Sequence, residues 1–260
     1  MSDRSLLEVT GVSKSLTSAS GDVLVVNEDV SFGLEPGEFV SVVGPSGAGK
    51  TTLLRTLSGL IGPDAGTVEH RGEAVQGVPS WLSIVFQEYN KTLFPWLSVA
   101  KNVRLAVREL PRREAAARVE SVLGQVGLAD FAERYPWELS GGMQQRVALA
   151  RAIVADPELL LMDEPFASVD ALTRAKLEDV VRDLWAQVGF AALLVTHDIG
   201  EAIYLSDRVL VMSARPSTIV SQVTVDLPRP RGQSVTRALP RFHELHEQVL
   251  GLVERNGAAR

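Results

Sequence analysis

Residues Gly44-Pro45-Ser46-Gly47-Ala48-Gly49-Lys50-Thr51 spell Gly-x-x-x-x-Gly-Lys-[Ser/Thr] in full. They directly follow an apolar run, Phe39-Val40-Ser41-Val42-Val43, that reads as a buried strand. A strand, a glycine-rich turn and a helix in that order constrain the fold to a phosphate-loop α/β core. The glycines allow a tight turn whose successive N–H groups, with the start of a helix over 51–59, aim at an anion. Lys50 then reaches β- and γ-phosphates, Thr51 offers a hydroxyl to Mg²⁺, and Thr52 adds a further contact in the first turn. The alternative, a glycine-rich turn with a solvated lysine, is hard to reconcile with strand and helix on either side. The expected ligand is a nucleoside triphosphate.

A second anion-type site follows downstream. Leu139-Ser140-Gly141-Gly142-Met143-Gln144 leads into a helix-forming stretch at 145–153 whose N-cap is Ser140, again exposing N–H groups and a dipole end. Taken alone, this is equally an ordinary capped helix. After an Asp156-Pro157 break comes an apolar strand at 159–163 that ends in two carboxylates, Asp163-Glu164. Asp163 is placed to hold Mg²⁺ directly or through water, and Glu164 to polarise an attacking water. Gln87 in Val85-Phe86-Gln87-Glu88 is an unremarkable loop glutamine on spacing alone. His197 follows a strand at 191–196, so it is either a satisfied core histidine or, at the carboxyl edge of a sheet, a γ-phosphate contact.

These motifs resemble, in order, those of the ABC ATPases, and the resemblance covers nearly the whole chain. Gln87 stands where that family has its glutamine loop, Ser168-Val169-Asp170 where it has its aspartate loop, and Thr196-His197-Asp198 where it has its switch histidine. The aspartate loop departs from the commoner form with Leu before Asp. The resemblance implies ATP and Mg²⁺ as cofactors, Gln87 as a ligand of Mg²⁺ or water, and catalysis through Glu164, His197 and Gln87. It also implies that Ser140, Gly141 and Gly142 close over ATP held by a second copy of the chain, with Asp170 along the dimer seam. For Asp170 the capping of a helix beginning near Ala171 is an equally good reason. Relatives place an aromatic near the end of the first strand to stack on adenine. This chain has Leu16 and Val23 there and no aromatic before Phe32, which leaves adenine against guanine open.

The rest of the pattern agrees with one cassette domain over 1–260. Residues 6–16 and 23–34 alternate as antiparallel strands around a polar stretch at 17–22. The apolar runs at 39–43, 159–163, 191–196 and 209–212 suit a mostly parallel sheet covered on both faces. Helical periodicity at 99–109 and 113–126 marks a helical subdomain inserted over about 88–155. Leu227-Pro228-Arg229-Pro230-Arg231-Gly232 reads as an extended linker before a C-terminal helix at about 239–253. The expected fold is thus α/β, a P-loop NTPase core with an N-terminal antiparallel β subdomain and an inserted α-helical subdomain.

Composition narrows the function. A net charge of −6 supplies no basic surplus for nucleic acid, and no stretch approaches the roughly 18 apolar residues of a spanning helix. Residues Met1-Ser2-Asp3-Arg4-Ser5 lack a signal-peptide core. The absence of cysteine excludes disulfides. His243 and His246, i and i+3 on one helix, have no third ligand nearby. A DNA-maintenance ATPase needs long heptad-bearing arms, and a translation regulator usually has two cassettes with a basic linker; neither feature is present. A transporter ATPase remains, of an importer or, alternatively, of an exporter. Segments at 93–103, 170–174, 197–214 and 227–231 resemble the nitrate, sulfonate and taurine importer group. That resemblance implies a membrane permease, an extracytoplasmic substrate-binding protein, and peripheral attachment at the cytoplasmic face of the cell membrane. Trp96, in Leu93-Phe94-Pro95-Trp96-Leu97, is either core packing or one wall of a groove for a partner helix.

Overall fold

The computed structural model describes residues 5–18 and 20–257. Met1–Arg4, on which the signal-peptide expectation rests, and Ala19 of the stretch at 17–22 lie outside the described residues. In chain order the first half comprises β1 (Leu7–Thr17), β2 (Val23–Leu34), β3 (Phe39–Val43), α1 (Lys50–Leu57), β4 (Ala65–His70), β5 (Glu73–Ala74), β6 (Leu82–Val85), α2 (Tyr89–Thr92), α3 (Val99–Arg104) and α4 (Arg112–Gln125). The second half comprises α5 (Gly141–Ile153), β7 (Leu159–Asp163), α6 (Ala171–Val188), β8 (Ala191–Val195), α7 (Ile199–Leu205), β9 (Arg208–Met212), β10 (Ile219–Thr224), α8 (Gln233–Arg237) and α9 (Pro240–Gly257). The chain divides into two compact units, residues 80–190 and the remainder on either side.

In the discontinuous unit, β1 pairs antiparallel with β2 from Leu7↔Leu34 to Thr17↔Val23, and with β4 on its other side. Alternation buries Leu7, Val9, Val12, Val26 and Val30 on one face. A parallel sheet forms where β3 lies between β8 and β9, with β10 antiparallel at the edge beyond β9. Every residue of β3 and β8 is buried, as continuous apolar strands covered on both faces require. Helix α9 buries Phe242, Leu245 and Val249, an i, i+3, i+7 stripe, and packs against α7 and β9.

In residues 80–190, β6 and β7 pair in parallel. Helix α4 buries Ala115, Val119, Val122 and Leu123 on one face, and α5 packs against α3, α4 and β6. The helix expected over 99–109 is α only to Arg104 and tightens to a 3₁₀ turn at Leu105–Val107. Pro111 has no N–H to give the Val107 carbonyl, which accepts from the Leu110 N–H at 3.1 Å instead, so the run ends before 111. Helix α6 stops at Gly189, whose φ of 81° gives the left-handed C-cap.

The segment between α2 and α3 is held by one side chain. Asn102 is fully buried; its Oδ1 accepts from the Phe94 N–H at 2.8 Å, and its Nδ2 donates to the carbonyls of Phe94, Leu97 and Ser98 at 3.0, 2.9 and 3.2 Å. Asn102→Leu keeps the branched shape but removes the side-chain partners of the Phe94 N–H and the Leu97 carbonyl, while the Phe94 and Ser98 carbonyls keep the N–H groups of Leu97 and Asn102. The expected loss is roughly 1–3 kcal/mol per orphaned group, seen as a lower denaturant midpoint at unchanged slope. An unchanged midpoint would show that the segment does not depend on this amide.

Candidate active site

In the discontinuous unit two loops leave the same sheet edge. β3 and β8 are parallel in the register Val42↔Val195, and the Thr196 N–H donates to the Val42 carbonyl at 3.1 Å. The turn at 44–49 and the residues Thr196-His197-Asp198 therefore start side by side, at the carboxyl edge where ligands bind in parallel α/β sheets.

The turn is built for close backbone approach. Gly49 has φ 95°, and a Cβ there would lie 2.3 Å from Val26 Cγ1. Only glycine fits, and its left-handed conformation starts α1 at Lys50. Lys50 is buried, its Nζ donating to the carbonyls of Gly44 at 2.9 Å and Pro45 at 3.0 Å, which folds the ammonium back over the turn. Ser46 and Gly47 are exposed at the tip, Ala48 is buried below them, and Thr51 and Thr52 are half-buried on the first turn of α1. Buried Asn27 supports this frame from β2, donating to Ser217 Oγ at 2.9 Å and to the Gly49 carbonyl at 3.5 Å. Nothing in the sequence around Asn27 signals that role.

At the neighbouring loop, His197 is exposed, which removes the core-histidine alternative. Its flanks are locked. Thr196 Oγ1 donates to Glu201 Oε2 at 2.7 Å and accepts from the Asp198 N–H at 3.0 Å, while Asp198 Oδ1 accepts from the Glu201 N–H at 3.0 Å. Asp198-Ile199-Gly200-Glu201 carries the spacing of a capping box, so Glu201 was findable from the sequence.

Within residues 80–190, β6 and β7 are parallel in the register Val85↔Met162, which sends Gln87 and the Asp163-Glu164 pair off one edge. Gln87 Nε2 lies 3.5 Å from Glu164 Oε2. Asp163 is buried, and Glu164 is held at φ 43°, a left-handed conformation that costs a non-glycine residue roughly 1–3 kcal/mol and is concentrated at functional sites. Ser140 caps α5, its Oγ accepting from the Met143 N–H at 3.4 Å. Ser140 and Gly141 are exposed. Gly142 is buried, and a Cβ on it would meet Thr173 Cγ2 at 2.5 Å, so α5–α6 packing gives this glycine a reason of its own. Asp170 caps α6, Oδ1 accepting from the Leu172 and Thr173 N–H groups at 3.1 Å each. Hydrogen bonds from Thr173, its side chain first, hold the Asp170 carboxyl below its ordinary range. Both helix-capping readings of Ser140 and Asp170 thus hold.

The sequence profile described as ABC transporter matches residues 27–167. The chain belongs to the ABC transporter ATPases. It is similar to the aliphatic sulfonates import ATP-binding protein SsuB 1 of Xanthomonas axonopodis pv. citri, 47% identical over 85% of this chain and 92% of that protein. It is 41% identical to the nitrate import ATP-binding protein NrtD of Synechocystis sp. over 95% of this chain and 94% of that one. Among solved structures it resembles the ATP-binding cassette MJ0796 in a dimeric post-hydrolysis state bound to ADP and Pi, with a TM-score of 0.72 at 27% identity over 84% of this chain and 98% of that chain.

The fold is accordingly the ABC ATPase fold, and the cassette is an ATPase that uses ATP with Mg²⁺. Its residues fit both. The turn at 44–49 presents backbone that only glycine permits, with a buried lysine, and Asp163 is a buried carboxylate at a strand end. Mg²⁺ bound with a nucleotide needs only one or two protein oxygens, with water and substrate phosphates completing its shell, and a buried strand-end carboxylate such as Asp163 is of the right donor type.

Gly49→Ala tests the cradle. Strain at φ 95° together with the contact against Val26 is expected to weaken ATP binding at least about tenfold, an effect of roughly 1.4 kcal/mol, and to lower the melting temperature. Wild-type affinity in that variant would mean that the turn does not hold the phosphates.

Proposed function

We propose that this chain is the ATP-hydrolysing subunit of an importer that takes up a small solute of the nitrate, sulfonate or taurine kind through a separate membrane permease. The sulfonate and nitrate import roles of its relatives support the solute class. One observation carries the hydrolytic part: a buried Asp163 beside a Glu164 held in strained backbone within reach of the Gln87 amide. In this reading Lys50 and the N–H groups of residues 44–52 bind the phosphates, and Thr51, Asp163 and Gln87 supply oxygens for Mg²⁺. Glu164 accepts a proton from the attacking water, Gln87 orients that water, and His197 contacts the γ-phosphate. Mg²⁺ offsets phosphate charge. Residues 1–260 form a single cassette, with about 88–155 as its helical subdomain and about 227–260 as C-terminal strap and helix.

A second copy of the chain completes each site. The exposed Ser140 and Gly141 at the capped start of α5 offer N–H groups to an anion, and the dimeric state of the similar cassette supports this assembly. ATP then favours the closed pair and hydrolysis withdraws that preference, a two-state cycle. Leu16 and Val23, 44% and 68% exposed, are apolar surface available to the nucleobase, and they discriminate adenine from guanine weakly.

Among the described residues no helix is long and apolar enough to cross a membrane. Attachment therefore runs through the permease, at the cytoplasmic face, with an extracytoplasmic binding protein delivering the solute on the far side. Docking falls to the helical segment. Phe94 and Trp96 meet edge to face, ring centroids 5.4 Å apart, and Trp96 is 68% exposed, which excludes its core-packing alternative. Further along the chain, Ala100, Arg104, Val119 and Leu123 line an apolar groove of about 360 Å³, suited to one amphipathic helix.

Trp96→Glu is expected to leave the melting temperature and ATPase activity of the purified subunit unchanged, because an exposed charge is solvated. Solute uptake and membrane recruitment in cells should fall sharply. Normal uptake would remove Trp96 as an anchor.

A further inference from the structure

The proline-arginine segment before α8 is anything but a free linker. The Val225 N–H donates to the Asp207 carbonyl at 2.8 Å, Leu227 is buried, and Arg229 pairs with the Asp207 carboxylate. Asp207 is itself fixed to β3, its Oδ2 accepting from the Phe39 N–H at 3.0 Å. Arg231, only 5% exposed, donates from Nη1 to the carbonyls of Ile203, Tyr204 and Ser206 at 3.2, 3.0 and 2.8 Å. These are carbonyls at the C-terminal end of α7, which a helix leaves without intrahelical partners and where its dipole is negative. Burial lowers the Arg231 guanidinium to about 10, so the cation sits there against a desolvation cost that the carbonyls offset.

Arg237 reinforces the grip. Its guanidinium lies 5.2 Å from the centre of the Tyr204 ring, and a Cβ added to Gly200 would meet its Nη1 at 2.9 Å. Helix α7 spans only seven residues, too short to be stable through its own hydrogen bonds, so the groups at its two ends decide where it sits. At the C-terminal end stands Arg231, while Arg237 lies along the side of the helix from Tyr204 to Gly200. At the other, Asp198, Thr196 and Glu201 hold His197 between them.

We propose that Arg231 is a positioning residue for ATP hydrolysis: by binding the carbonyl end of α7 from the strap at 225–232, it sets the placement of His197 at the opposite end. This rests on the reading of His197 as a γ-phosphate contact. The strap thereby gives the C-terminal segment, α8 and α9 included, a direct hold on the switch histidine. With only seven residues between the two ends, the anchoring at one end bears on the placement of the other, and a misplacement of about 1 Å can cost roughly a hundredfold in rate.

The test uses the full chain with Arg231→Met and Arg231→Lys. Arg231→Met is expected to bind ATP as wild type and to lower kcat roughly ten- to a hundredfold. Arg231→Lys, which keeps the charge and three donors on a shorter head, should fall in between. With four histidines in the chain, ring NMR signals are assignable by substitution; the His197 signal should move in both variants while that of His70, on β4, stays. In a His197→Ala background Arg231→Met should cause no further loss of turnover. Wild-type kcat in either variant with an unmoved His197 signal overturns the proposal. So does a loss shared equally by ATP binding and turnover, which marks general destabilisation. If Arg231→Met does not fold, Arg231→Lys alone decides on the same two readouts. Wild-type hydrolysis by His197→Ala would instead overturn the role of His197 itself, and impairment of His197→Ala without impairment of the Arg231 variants overturns the positioning inference alone.

Discussion

Parallel pairing of β3 with β8, in the register Val42↔Val195, fixes more of this molecule's chemistry than any single side chain does. Strands in parallel launch their following loops from one edge, and here those loops are the glycine turn and the one that bears His197. A slip by one residue would turn every side chain of the strand to the opposite face of the sheet and move both loops. Residues 80–190 use the same device, where β6 and β7 bring Gln87 beside Glu164.

Around these edges, rigidity comes from buried polar groups that are bonded to backbone. Asn27 braces the glycine turn, Thr196 and Glu201 brace the switch, Asn102 shapes the segment bearing Phe94 and Trp96, and Arg231 holds the far end of α7. Each places an exposed group by fixing the chain beside it. Glu164 is the exception in kind, because its own backbone is strained, and a strained carboxylate at a strand end is where a reacting group is expected.

The residues of the turn were legible because only glycine tolerates the backbone at Gly49, and backbone necessity is written directly into residue type. Ser140 and Asp170 were legible as caps for a similar reason, since local hydrogen bonding selects short polar side chains. Trp96 was undecidable, because Leu-Phe-Pro-Trp-Leu has no period to say which side faces in. Its exposure follows from the ties of Asn102 to neighbouring backbone. The edge strand β10 went unread because only Val223 of its six residues is buried, and residues 227–232 read as an extended linker because proline and arginine are typical of linkers. Arg231 is buried by a partner distant in sequence, α7, and no local pattern announces a contact of that kind.

The claim on which the functional account turns is that Glu164 takes the proton of the attacking water. The most direct measurement compares wild type and Glu164→Gln at saturating ATP and Mg²⁺, following phosphate release, bound nucleotide and sedimentation together. Gln keeps the shape of Glu and cannot accept the proton, so turnover should fall roughly 10²- to 10⁴-fold while ATP stays bound and the chain sediments as a nucleotide-loaded dimer. Phosphate release at the wild-type rate by Glu164→Gln would contradict the account.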